Sequence, residues 1–210
     1  VVKTGMENSG PDKKADAASP PAESSWVRLL DGAKTELRTL RCADAAAPVV
    51  MILPALGVPA RFYARFAAAL VEAGCHAALH DLRGIGTSDQ RAGRHVDFGY
   101  ETLVLSDLPA VIAQVKQCFP AAPIVLLGHS LGGHLSLMYV GWTQDPAVRG
   151  VALVASGAPY VASFAWRERL QLMIAGQLFP TVAKLFGYYP GEFFRFGGRE
   201  ARRLITQWAA

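Results

Sequence analysis

The segment Pro123-Ile124-Val125-Leu126-Leu127-Gly128-His129-Ser130-Leu131-Gly132-Gly133 sets one serine between two glycines at the end of an apolar run. A serine hydroxyl attacks a carbonyl carbon well only under two conditions. A general base must take its proton, and preorganised N–H donors must meet the charge growing on the carbonyl oxygen. The apolar run ends at Gly128, and Leu131, Leu135, Met138 and Trp142 then recur at helical spacing, so the pattern predicts strand, sharp turn and helix. Ser130 is expected on that turn in a strained backbone conformation, at positive φ, with its hydroxyl at the C-terminal edge of a sheet. The helix behind it begins with free N–H groups and a dipole that favours negative charge. Gly128 and Gly132 leave room for strand and helix to approach one another.

The general base is harder to find. No histidine follows His134 in the 210 residues. His129 occupies the variable position of the turn, where a structural role is expected. His134 lies one helical turn beyond the serine and is expected to pack into the core. His80, before Asp81 at a strand end, and His95, in a loop, are poor candidates for the base. Asp145 is an acid without an evident partner. Gly84-x-Gly86 follows a strand, but position 89 is aspartate and no helix opens there, which argues against a dinucleotide site. No His/Cys/Asp cluster has metal-ligand spacing, so neither metal nor cofactor is expected.

The elements that must position the serine follow from periodicity. Trp26–Leu30 and Thr35–Arg41 read as two strands joined at Asp31-Gly32. Val49–Leu53 is a short buried-type strand. Pro59 opens a helix striped by Phe62, Phe66 and Leu70 and closed by Gly74. Cys75–Leu79 is the next strand. Leu108, Val111, Ile112 and Val115 define an amphipathic helix, with Ser106 or Asp107 placed to cap it and Pro109 in its first turn. The serine strand and helix come next, then a strand over Gly150–Ala155. Strands alternating with helices of this length predict an α/β fold: a mostly parallel sheet with helices on both faces. After Gly157 the composition shifts. Eleven of the chain's 20 aromatic residues fall between Tyr160 and Trp208, with no further convincing strand.

Bulk properties narrow the class. At 51% apolar content the chain can bury one sizeable core. The net charge of +4 comes from scattered residues, with a mild excess at Arg195, Arg199, Arg202 and Arg203. That pattern argues against a nucleic-acid surface. Cys42, Cys75 and Cys118 fall in or beside core elements, an odd set that suggests buried thiols in a reducing compartment. No apolar run approaches the roughly eighteen residues of a membrane span, and no signal-peptide core is present. A cytoplasmic location is expected. Residues 1–25, rich in Pro, Ala, Ser, Lys and Asp, read as a disordered tail.

Three further stretches make the chain resemble the α/β-hydrolase family. Met51-Ile52-Leu53-Pro54-Ala55-Leu56-Gly57 is similar to that family's oxyanion strand and loop, with Pro54-Ala55 where His-Gly is commoner. Asp81-Leu82-Arg83-Gly84-Ile85-Gly86-Thr87-Ser88 resembles its Asp-x-Arg-Gly-x-Gly-x-Ser turn. Gly57–Tyr63 and Phe186–Gly191 look like a bacterial subgroup of largely uncharacterised hydrolases of the serine aminopeptidase or esterase kind. The resemblance implies the backbone N–H groups of Leu56 and Leu131 as oxyanion donors. It also implies the chain order serine, acid, histidine, of which only the serine is found here. Residues 26–158 are expected to form the hydrolase core, truncated after its sixth strand. Residues 159–210 are expected to form a helical, aromatic-rich cap.

The expected activity is hydrolysis of a small-molecule ester, thioester or amide through an acyl-enzyme on Ser130. The 210-residue chain is expected to be inactive by itself for want of acid and base. The Val1 start and the intact turn favour a fragment of an ordinary acyl hydrolase. The alternatives are a non-catalytic relative that binds a small acyl ligand or a partner protein, and an acyltransferase. An open sheet edge at the last strand predicts self-association.

Overall fold

The computed structural model describes residues 22–157 and 160–209. Of the expected N-terminal tail, residues 1–21 lie outside them, and residues 22–25 belong to a strand. β1 (Ala22–Arg28) and β2 (Lys34–Leu40) form the antiparallel hairpin, each starting ahead of Trp26 and Thr35 where the sequence pattern put them. Gly32 turns the hairpin at φ 88°, a conformation that glycine adopts without Cβ strain.

β3 (Val49–Leu53) and β4 (His76–His80) are buried at every residue. Between them a 3-10 turn (Ala60–Tyr63) runs into α1 (Ala64–Glu72). The expected stripe is corrected here: Phe62 and Phe66 are exposed, while Tyr63, Ala67, Leu70 and Val71 face the sheet. The 3-10 start, at about three residues per turn, rotates the helix relative to a regular 3.6-residue reading.

A short α2 (Tyr100–Thr102) passes through a π turn (Leu103–Asp107) into α3 (Leu108–Cys118). The helix therefore starts earlier than its expected cap. Asp107 is itself helical at φ −77°, ψ −50° and makes no side-chain cap. Pro109 lacks an N–H and its ring crowds the carbonyl four residues back, and the wider π turn ahead of it relieves that conflict. β5 (Ile124–His129), α4 (Leu131–Thr143) and β6 (Val148–Val154) complete the alternating part.

The six strands lie in the order β1-β2-β4-β3-β5-β6. β1, β2 and β4 pair antiparallel, and β4, β3, β5 and β6 run parallel. Period-two alternation splits the core across the two faces. Val49, Met51 and Leu53 join Ile124 and Leu126 beneath α3 and α4, while Val50, Ile52, Ala77 and Leu79 pack under α1. The three cysteines are free and half-buried rather than buried.

The C-terminal segment holds α5 (Trp166–Phe186), β7 (Tyr188–Pro190), α6 (Gly191–Phe194), β8 (Arg199–Ala201) and α7 (Arg202–Trp208). The expectation of no further strand is corrected, because β7 and β8 pair antiparallel. Each is three residues long, too short to show an alternating pattern in sequence. Val182, Ala183, Tyr189, Leu204 and Ile205 join the main core beside Phe98 and Tyr100. Arg202 pairs with Asp97 at 2.9 Å, and Gln207 Oε1 accepts the Tyr100 N–H at 2.8 Å. Among the described residues no helix is long and apolar enough to cross a membrane.

β6 pairs with β5 alone among the described strands, and Leu153 and Val154 on it are 47% and 48% exposed. An uncovered parallel strand with apolar side chains is a template for another chain. The 210-residue chain is expected to self-associate as concentration rises in light scattering, with fast amide exchange at residues 151–154 at low concentration. A monodisperse monomer with those amides strongly protected would contradict this.

Candidate active site

Ser130 sits between the last residue of β5 and the first of α4 at φ 52°, ψ −116°, the positive-φ backbone expected of a strand-to-helix elbow. Its N–H donates to the Val154 carbonyl of β6 at 2.9 Å, and its carbonyl accepts the Gly133 N–H at 2.9 Å. The turn is possible because side chains are missing where backbones cross. A Cβ on Gly132 would collide with the Leu53 carbonyl, and one on Gly128 with the backbone of Gly132 and Gly133.

Leu53 pairs in register with Gly128, so the loop leaving β3 and the turn leaving β5 emerge side by side. Leu56 lies on that loop and Leu131 opens α4, and both side chains are buried. Among the described residues neither the Leu56 N–H nor the Leu131 N–H is hydrogen-bonded. The neighbouring Ala55 N–H, by contrast, donates to Tyr63 Oη at 3.0 Å. Tyr63 Oη lies 2.8 Å from His129 Nδ1, and the two rings meet edge to face. His129 thus holds Tyr63 and, among the described residues, makes no hydrogen bond to the Ser130 hydroxyl.

The Asp81 turn braces this loop from the other side. Asp81 Oδ1 accepts the Ala60 N–H at 2.6 Å, and Oδ2 accepts both the N–H and the hydroxyl of Thr87 at 2.8 and 2.9 Å. Arg83, buried, forks onto Asp107 at 2.8 and 2.7 Å and onto Asp31 at 2.6 and 3.2 Å. The paired carboxylates, Asp107 first, raise the Arg83 pKa and hold its charge.

The histidines do not supply a base to this site. Among the described residues no histidine ring hydrogen-bonds the Ser130 hydroxyl. His80 is buried with both ring nitrogens unpartnered, and burial pushes its pKa down to about 4 against the pull of Asp81. His134 is half-buried, not packed in the core, and its Nε2 lies 3.1 Å from the Ser156 carbonyl. Asp145, expected to be alone, binds Lys116 at 2.9 Å, Tyr139 at 2.9 Å and the Ala147 N–H at 3.0 Å. Among the described residues no three His, Cys, Asp or Glu side chains gather to hold a metal ion.

Sequence reasoning missed Tyr63 and Glu200. Tyr63 acts across 8 and 66 residues of sequence, so no local pattern could mark it. Glu200 is buried on β8, where its Oε1 accepts the Gly198 N–H at 2.7 Å. Gly197 and Gly198 in turn lie against Gly57 so closely that a Cβ on Gly57 would strike their backbone. The C-terminal segment therefore touches the loop after β3 directly.

Strand order, the parallel pairing of β4, β3, β5 and β6 and the elbow define an α/β-hydrolase fold. Residues 44–192 match the family model described as serine aminopeptidase, S33, and the chain belongs to that family. It is 27% identical over 152 residues to bovine (Bos taurus) protein phosphatase methylesterase 1, covering 69% of this chain and 39% of that one. The structure resembles a thermostable carboxyl esterase from Bacillus coagulans at TM-score 0.57 and 18% identity, covering 78% of this chain and 50% of that one. It also resembles an esterase from Exiguobacterium antarcticum at TM-score 0.57 and 22% identity, covering 89% and 72%. The chain thus spans well under half of the bovine relative and half of the Bacillus esterase.

Two measurements test this packing. Gly132→Ala forces the Leu53 carbonyl and α4 apart and is expected to cost about 1–3 kcal/mol of stability, as overpacking does, read by urea unfolding. Glu200 has its pKa raised by burial from the ordinary 4.5 to about 7, against the opposing Gly198 N–H. Between those values the folded chain holds a proton the unfolded chain has lost, so this carboxyl lowers stability as pH rises, until it levels off above about 7. Glu200→Gln removes that slope. Relative to wild type the variant should gain stability between about pH 5 and about pH 7.5; parallel curves for the two proteins would contradict the burial argument.

Proposed function

We propose that the chain carries the nucleophile and oxyanion half of a serine hydrolase acting on an ester, thioester or amide. In this reading the Ser130 hydroxyl attacks the carbonyl carbon, its proton passes to a base, and the alcohol, thiol or amine leaves from the acyl-enzyme. Water then releases the acid. The observation that carries the proposal is Ser130 at φ 52° on the turn that leaves β5 next to the loop leaving β3, with the N–H groups of Leu131 and Leu56 unbonded among the described residues. Free donors aimed at a developing oxyanion are worth about 10²–10³ each in turnover. The name of the bovine relative, a methylesterase, supports an ester among the three acyl classes.

The reading assigns residues 159–210 as a cap over the C-terminal strand ends. Contact of Gly197 and Gly198 with Gly57 supports that placement. It assigns neither acid nor base to any residue of the 210. Serine triads that lose the base lose on the order of a million-fold in turnover, keeping roughly 10³–10⁴ over water from the oxyanion hole and binding. The chain is therefore expected to hydrolyse p-nitrophenyl acetate little above background. A fluorophosphonate, which needs to react only once, should label Ser130 over hours, and Ser130→Ala should abolish that labelling in peptide mass spectrometry. Labelling that survives in Ser130→Ala sinks the nucleophile assignment. Rapid turnover lost in Ser130→Ala would keep the nucleophile and return the base to His80 or His95.

A further inference from the structure

Pro54-Ala55 gives the loop after β3 no side chain that can hydrogen-bond, and the buried Leu56 side chain anchors it by apolar packing alone, yet the proposed role of Leu56 needs its N–H at a fixed distance from that of Leu131. The anchor comes from elsewhere. Tyr63 is the last residue of the 3-10 turn, whose first N–H, at Ala60, is pinned by Asp81 Oδ1 at 2.6 Å. From there the phenol oxygen reaches a backbone N–H and an imidazole on two residues that flank the site. It accepts the N–H of Ala55, the residue before Leu56, at 3.0 Å. It also lies 2.8 Å from Nδ1 of His129, the residue before Ser130.

With one lone pair taken by Ala55, the phenol proton is free to go to Nδ1, which fixes the imidazole hydrogen on Nε2. A directed chain results, Ala55 N–H to Tyr63 O–H to His129 Nδ1, in a half-buried place where such hydrogen bonds strengthen one another. Its two ends are the immediate neighbours of the oxyanion donor on one side and of the nucleophile on the other.

We propose that Tyr63 is the positioning residue of the oxyanion hole, its phenol bridging Ala55 and His129 so that the Leu56 N–H is held in register with Leu131. The proposal rests on Ser130 being the nucleophile. Without Tyr63 the Ala55 N–H loses its partner and the loop is free to swing its next N–H off target. The effect falls on the geometry of the hole, not on the serine itself.

A chain that lacks its base isolates the oxyanion contribution, because that is most of what its residual reactivity contains. The measurement is the rate of Ser130 labelling by a fluorophosphonate, whose phosphoryl oxygen occupies the hole. Tyr63→Phe is expected to slow it about tenfold, less than the full loss of one donor. His129→Leu should slow it similarly, and His129→Asn, whose amide oxygen can accept the same O–H, should restore most of the rate. Nitrogen-15 spectra of His129 supply a readout that mere folding would not move. Wild type is expected to show a single Nε2–H tautomer, and Tyr63→Phe a mixture, with faster exchange of the Ala55 amide. Equal labelling rates in wild type and Tyr63→Phe, or an unchanged His129 spectrum, overturn the bridge while leaving Ser130 in place. Absence of any Ser130 labelling in wild type overturns the nucleophile reading and this inference with it.

Discussion

Everything near Ser130 depends on backbone meeting backbone with no side chain between. α4 starts so close to the ends of β3 and β5 that Gly132 faces the Leu53 carbonyl and Gly128 faces Gly133, while Gly133 in turn abuts the Ser156 hydroxyl. Ser156 uses that hydroxyl to bond the Gly128 carbonyl at 3.1 Å, tying the end of β6 into the same knot. A non-glycine residue at positive φ costs on the order of 1–3 kcal/mol and persists only where its surroundings over-determine it. Here three strand ends and one helix start do so, and the Ser130 N–H is held on Val154 besides. The strain is local, and its restraint is spread over four elements.

A second layer of restraint lies in the loops above the sheet. Asp81 takes three donors from two segments, so the start of the 3-10 turn and the Gly84–Ser88 turn cannot move apart without stranding a buried carboxylate. Arg83, two residues on, links the β1–β2 hairpin through Asp31 to the π turn through Asp107. Removing Asp107 costs far more than its pairing contributes, because the buried Arg83 charge then keeps only the exposed Asp31. These carboxylates are therefore structural in this chain. Asp81 holds the start of the 3-10 turn that ends in Tyr63, and Asp31 and Asp107 hold Arg83 between the hairpin and the π turn.

The aromatic-rich C-terminal segment adds a third contact. Tyr189 stacks near Phe179 and Phe194, and Phe196 lies 5.0 Å from Phe179 and 5.4 Å from Trp208. These rings bind the segment to itself, while Gly197 and Gly198 bring its backbone onto Gly57. One face of α5, with Leu170, Met173, Ile174 and Leu178, remains exposed. The core side of the segment is thus smaller than its aromatic content suggests.

The sequence by itself determined the parts that are local. Gly-x-Ser-x-Gly after an apolar run specified strand, turn and helix, because only glycine tolerates the close crossing and only that crossing puts φ of Ser130 above zero. Leu108, Val111, Ile112 and Val115, all buried, were legible because period 3.6 is read within about two turns. The Asp81–Ser88 turn was legible as a motif, though not what its carboxylate holds. Tertiary structure decided whatever joins residues far apart in the chain. The face of α1 was set by a 3-10 start that rotates it, leaving Phe62 and Phe66 in water. Asp145 found Lys116 and Tyr139, Glu200 was buried beneath its own hairpin, and Tyr63 was aimed at Ala55 and His129. Hydrogen bonds depend on distances of tenths of an ångström between atoms whose separation along the chain carries no period, and so no sequence pattern records them.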